Sequence, residues 1–385
     1  MGKKGKTKMS EVREKKRSSN FELLRILCMC LIVMHHFTVH GGAIAMEGLT
    51  NNRIISLIIL PLGKICFNCF VALSTWFLAS STFKSSRFVK IWCQVLFYNI
   101  VFLGLASIMG QEYVEPLSWK TWLGSLFPII GNSHGYAAAY MAFYLSLPFL
   151  KLISDAVNKK QLVCLISILV MTQLGPGLLG NLIGYVQPFV SEILLFVMCY
   201  FISVYLQRYP KGWQTNRWLL CGVFVFLWLF TAFFRILNVM IPELWFPSFF
   251  INWVTGSEFS IINIAAGYAL FLLFNMIKMP YNRVINGIAS TVFGVLLAHD
   301  HNYFRSVLWQ EIFRTSQWYY IPTIEFIGRM VLVTVIIMVV GGAFDFLRQK
   351  LLEKPIMKTR LTLLICNFID NWFSNSSPKE RDNEF

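Results

Sequence analysis

The chain has 385 residues, 56% of them hydrophobic, 16% aromatic and only 14% charged, with a formal net charge of +15. A soluble domain holds about 25% charged residues and cannot hide so much apolar surface, which excludes an ordinary soluble protein and indicates a chain whose solvent is lipid. The positive balance is therefore read first as membrane topology, because cytoplasmic loops concentrate Lys and Arg, and no nucleic-acid partner is needed.

A membrane-spanning helix needs about 20 mostly apolar residues. Residues 1–20 form a basic tail, expected on the cytoplasmic side. No small-residue cleavage site follows it, and Arg25, His35 and His36 interrupt the next apolar stretch, which therefore reads as a retained first span over 21–40. Further spans are predicted near 58–81, 89–109, 135–153, 161–180, 189–206, 218–240, 258–277, 284–300 and 322–346. The expected fold is an all-α integral membrane bundle of about ten transmembrane helices. In the second span Pro61, Gly63 and Lys64 suggest a loop leading into a helix from Ile65, and in the fifth Gly175, Pro176 and Gly177 are expected to break the helix.

Residues 21–350 thus make a membrane domain, and residues 351–385 a second tail. Its segment Leu361 to Phe373 is too short to span and suits an interfacial helix on the inner surface. With the amino terminus inside, most of the 34 Lys and Arg residues fall on the cytoplasmic face. An even number of spans returns the carboxyl terminus to the same side, so the expected location is the cytoplasmic membrane.

That topology sends all six histidines to the outer ends of spans: His35, His36 and His40 on the first, His134 on the fourth, His299 and His301 on the ninth. Glu192, Glu258, Asp300 and Glu325 map there too, and Arg235 and Arg329 lie in the outer thirds of their spans. Polar groups collect where helices meet water, but a polar cavity would explain them together, since ionisable side chains within a span usually face a partner or a water-filled path. Glu325 and Arg329 are four apart and suit an ion pair. Cys66 and Cys69 form a lone CxxC with no second pair and no finger-spaced histidine, so they read as buried apolar residues and no metal site is expected.

The first span carries the most chemistry. Arg25 and His36 stand about three turns apart on one helix face, roughly 16 Å along the axis, with Glu22 one turn before Arg25. An imidazole titrating near neutrality is the usual general base for a hydroxyl. His35 points about 100° away and is the supporting residue.

These residues resemble a known family. Phe21, Glu22, Leu23, Leu24 and Arg25, followed by His35, His36 and Phe37, fit the Arg-x10-His pattern of the acyltransferase family 3 integral-membrane proteins, many of which O-acetylate bacterial surface polysaccharides. Lys64, Asn68, Phe70 and Ser74 to Leu78 look like that family's second-span segment, and Thr291, Phe293, Gly294, Ala298, His299 and Asp300, then Arg305 and Trp309, like a late span ending in His. The likeness runs over about residues 20–350. Two places depart from the pattern: Ser74, Thr75, Trp76 and Phe77 stand for Ser-Gly-Tyr-Phe, and Gly135 with Tyr136 for an aromatic pair.

The resemblance implies transfer of an acyl group, most simply acetyl, from acyl-CoA to a sugar hydroxyl of a cell-surface or lipid-linked glycan. Acetyl-CoA would be a co-substrate, with no permanently bound cofactor. Arg25 would orient the acyl-CoA or pair with Glu22. His36 would act as general base or carry the acyl group transiently. His299 and Asp300 would orient the acceptor, assist proton transfer, or merely end a span. Lys84, Arg87 and Lys90 are candidates to hold the donor's phosphates, or simply to fix topology. Some relatives add a soluble domain after the membrane part. With only a short tail here, transfer is expected to finish within the membrane domain or on another protein. A glycan flippase or exporter without acyl transfer, or a structural subunit of a polysaccharide synthase, are the alternatives; the absence of an internal repeat counts against the transporter.

Overall fold

A computed structural model describes residues 18–44, 46–109, 118–131, 134–182, 191–243 and 257–374. The basic residues of the first tail up to Arg17, and Lys379 and Arg381 at the other end, lie outside them. The chain is helical, with no strand among the described residues. The principal helices are α1 (Ser19–His40), α2 (Asn51–Ala79), α3 (Ser85–Met109), α4 (Gly135–Ala156), α5 (Lys159–Leu182), α6 (Glu192–Arg208), α7 (Arg217–Met240), α8 (Ile261–Asn275), α9 (Arg283–Ala289), α10 (Val292–His299), α11 (Thr323–Arg348) and α12 (Arg360–Ser374).

Polar caps begin many of these helices, satisfying the backbone N–H groups that a first turn leaves open. Thr50, Ser191, Asn216, Ser260 and Asn282 accept through their side chains at the starts of α2, α6, α7, α8 and α9. Between the caps the residues are apolar on nearly all sides, as expected where lipid rather than water surrounds the bundle.

Helices stand at each position where the sequence places a span, but among the described residues six are long and apolar enough to cross a membrane: α1, α2, α3, α4, α7 and α11 with its continuation to Met357. The helices α6 and α8, at 17 and 15 residues, are shorter. The predicted ninth span is two pieces, α9 and α10, separated at Ser290 and Thr291. The multi-pass reading stands on the six, and the figure of about ten is not reached by this measure.

Two expected breaks are corrected. Helix α2 starts at Asn51 and runs straight through Pro61, Gly63 and Lys64, so no loop precedes Ile65. Helix α5 passes Gly175, Pro176 and Gly177 and continues to Leu182. At the other end, α11 does not stop near residue 350 but continues through a π-turn at Gln349–Glu353 to Met357.

Helix α2 is the centre of the bundle, packing against α1, α6, α7 and α8. It is 61% buried over its apolar window, against 22% for α7 and 28% for α11, which places the last two at the periphery. Cys66 and Cys69 are buried in the core, each a free thiol. Helix α12 docks on the start of α3: the Ser85 amide donates to Asp370 Oδ1 at 2.8 Å, and Phe83 packs on Phe373.

Candidate active site

A cavity of about 650 Å³ runs along α1, lined at one end by Glu22 and Arg25 and at the other by His36, His40, Asp300 and Arg305. Its walls come from α2 (Gly63, Lys64, Phe67, Phe70, Ser74), α4 (Tyr136, Tyr140) and the α9–α10 junction (Ala289, Ser290, Val292, Phe293). One face of a single helix therefore presents Arg25 and His36 to the same space, as their spacing predicts. Of the ionisable residues that the topology sends to the outer level, His35, His36, His40, His134, Glu192, Glu258 and Asp300 line this cavity, whereas His299, His301, Arg235, Glu325 and Arg329 do not.

At the histidine end, proton positions follow from hydrogen-bond geometry. His299 Nδ1 lies 2.7 Å from the Val295 carbonyl, which only accepts, so Nδ1 carries the proton. In the neutral ring His299 Nε2 is then an acceptor, and His36 Nδ1, 2.9 Å away, donates to it. A neutral His36 consequently keeps a bare Nε2, which lies 3.8 Å from Asp300 Oδ2. Asp300 Oδ1 also faces His40 Nε2 at 3.5 Å and Arg305 at 3.9 Å.

His35 does different work. Its Nδ1–H donates to the Leu60 carbonyl at 2.6 Å, and its ring lies against Gly63, where an added Cβ would sit 2.2 Å from His35 Cγ. Gly63 thus permits α1 and α2 to close at this level. His134 and His301 stack edge to face at 4.9 Å beside the cavity. Burial lowers their imidazoles to about 4 and about 3 respectively, so both rings are neutral at pH 7.

At the Arg25 end, Arg25 donates to Glu22 at 2.6 Å. Lys84, Arg87 and Lys90 do not line the cavity. Lys84 accepts from and donates to the Tyr144 hydroxyl through its backbone, Arg87 lies over the Tyr144 ring, and Lys90 is paired with Glu353 at 2.7 Å. Tyr144 stacks on Tyr140, which does line the cavity, so Arg87 stands one aromatic ring behind its wall.

The family model described as an acyltransferase domain, that of acyltransferase family 3, matches residues 18–345. The chain belongs to acyltransferase family 3. No curated protein and no solved structure is matched by it.

In this family 3 acyltransferase the departures from the family pattern fall at and behind the cavity wall. Gly135 faces the Glu192 carboxylate, which a Cβ would approach to 2.8 Å, while Tyr136 keeps an aromatic wall on the cavity. Of the Ser74 to Phe77 run, Ser74 lines the cavity, Thr75 bonds Ser203 in the core and Trp76 packs on Phe271. His40, Glu192 and Glu258, which the sequence groups at the outer level without a chemical role, line the cavity, and so do Lys64, paired with Glu258 at 2.7 Å, and Tyr140. For His40 the signal was its spacing, four residues after His36. Glu325 and Arg329 form the expected ion pair, outside the cavity.

Proposed function

We propose that this membrane acyltransferase moves an acetyl group from acetyl-CoA to a hydroxyl of a cell-surface or lipid-linked sugar, in the cytoplasmic membrane with both termini on the cytoplasmic side. The observation that supports it is the cavity that holds Arg25 at one end and the bare Nε2 of His36 at the other. A transferase needs such a connected path, because donor and acceptor must meet at one carbonyl carbon.

In this reading the donor's thioester lies along the groove past Arg25, with the phosphates outside the cavity near Lys84 and Arg87. Lys90 is engaged by Glu353 and is the weakest of the three candidates. The acceptor hydroxyl approaches His36, whose Nε2 takes its proton as the oxygen attacks the thioester carbonyl. The new C–O ester bond forms, the C–S bond breaks, and the proton passes to the departing thiolate. Asp300 stabilises the transient imidazolium, and His299 holds the ring in the reactive tautomer. Transient acylation of His36 followed by transfer uses the same atoms. Lys64, Glu258, Glu192 and the rings of Tyr136 and Tyr140 offer the mix of charged hydrogen-bonding and aromatic groups that binds sugars.

The test compares ester-linked acetyl on surface glycans, by NMR, in cells with the wild-type chain, with His36→Ala and with no protein, at matched membrane levels. Acetyl esters should appear with the wild type alone. Equal content in all three samples, together with no thioester consumption in purified membranes, would refute the reading and favour a glycan exporter.

A further inference from the structure

The histidine end of the cavity has a second chemistry. His36 and His40 are four residues apart on α1, one turn, with ring centroids 5.3 Å apart, and Asp300 reaches both from the end of α10. One ligand atom from each of His36, His40 and Asp300 lies within 4.8 Å of the other two. His36 Nε2 lies 3.8 Å from Asp300 Oδ2, and His40 Nε2 lies 3.5 Å from the other carboxylate oxygen, Oδ1. Ligand atoms around a tetrahedral zinc ion, with bonds of about 2.0–2.1 Å, sit about 3.3 Å apart. These side chains therefore need only small rotations to close on a metal.

Three further features fit. His36 is supported as metal-ligating imidazoles are, its other nitrogen donating to His299, which in turn donates to a backbone carbonyl. That bond presents Nε2 as the coordinating atom. Asp300 Oδ1 is itself shielded from solvent and makes no hydrogen bond, its neighbours being only the longer ion-pair contacts to His40 and Arg305, so it has acceptor capacity to spare for a metal. A fourth coordination position would face the cavity, where water can fill it.

We infer that His36, His40 and Asp300 form a binding site for a divalent transition-metal ion of the zinc class, whose occupancy switches the enzyme off. Two imidazoles and one carboxylate select such ions over magnesium or calcium, which require oxygen donors. The inhibitory half rests on the acyltransferase reading: the metal would take the same lone pair on His36 Nε2 that accepts the hydroxyl proton. Arg305, 3.9 Å from Asp300 Oδ1, opposes the cation.

The purified full-length protein, stripped by chelator, would be titrated with Zn2+ against a chromophoric zinc competitor, with retained metal counted by mass spectrometry. The wild type should hold one zinc per chain, and His40→Ala and Asp300→Asn should each lose it. Arg305→Gln should bind more tightly, by about threefold or more, because an opposing charge is gone; a misfolded variant would not gain affinity. Failure of the wild type to retain zinc, retention by both His40→Ala and Asp300→Asn, or no gain in Arg305→Gln would each overturn the site. In the thioester assay zinc should inhibit the wild type and spare whatever rate His40→Ala retains. Stoichiometric binding without inhibition overturns the regulatory half while the site stands. An absence of transfer in metal-free wild type strikes instead at the acyltransferase reading.

Discussion

Replacing Asp300 by Asn keeps the shape of the side chain and removes its charge from beside the proposed base. The carboxylate lies 3.8 Å from His36 Nε2. At that separation a unit pair is worth about 4 kcal/mol with an effective dielectric near 20. The Asp300 side chain is 30% exposed and already faces Arg305, so solvent and that guanidinium screen part of the interaction. About 2 kcal/mol of imidazolium stabilisation should remain, which corresponds to a fall of roughly 30-fold in turnover. The substrate's Michaelis constant should change little, because the charge acts only when His36 holds the transferred proton. The assay is release of CoA thiol in metal-free membranes containing matched amounts of each protein. Turnover within twofold of wild type would refute the assignment of Asp300 to the charge of His36. A loss confined to the Michaelis constant would make it an acceptor-binding group instead.

The remaining predictions concern the groups that hold these atoms in place. His299→Ala leaves the Nδ1–H of His36 without its acceptor, a cost of about 1–3 kcal/mol for a buried donor, and turnover should fall about 10- to 100-fold at unchanged membrane level; unaltered turnover would remove His299 from the mechanism. Arg25→Ala alone strands the Glu22 carboxylate in the bundle and should lower the folded yield. The double variant Glu22→Gln with Arg25→Ala should recover that yield yet stay at least about tenfold below wild type in transfer; recovery of transfer as well would make Arg25 purely structural. Gly63→Ala drives a methyl into the His35 ring, which its bond to Leu60 keeps from swinging away, and should cost about 1–3 kcal/mol. The readout is a lower melting temperature in detergent, and an unchanged value would show that α1 and α2 can part without loss.

How far the site was legible in the sequence depended on what sets each feature. Hydropathy fixes where spans begin and end, and span ends fix which residues share a level, so the gathering of His36, His40, His299 and Asp300 could be read without any contact information. The Arg25–His36 relation was legible for a simpler reason, since both lie on one uninterrupted helix. Partnerships across the bundle were not: Lys64 and Glu258 are far apart in sequence, and nothing local announces that they meet.

The helix breaks are the instructive failure. Pro61 and the Gly175-Pro176-Gly177 run looked like interruptions, yet α2 and α5 run through both. Within a bilayer a helix stops where its backbone groups can be satisfied some other way, and neighbouring helices often allow a proline to be absorbed. The interruption that shapes the cavity wall falls instead at Ser290 and Thr291, with neither proline nor glycine at the break. There the two hydroxyls donate back to the carbonyls of Gly287 and Ile288. The Ser290 carbonyl receives the side-chain amide of Gln349, from the π-turn that extends α11. Gln349 also donates to the buried Asp345, which binds Arg348. The break is thus held by a polar network that begins some 60 residues further along the chain. A local propensity argument cannot see such a cause, whereas the span ends that place the histidines are set by composition alone.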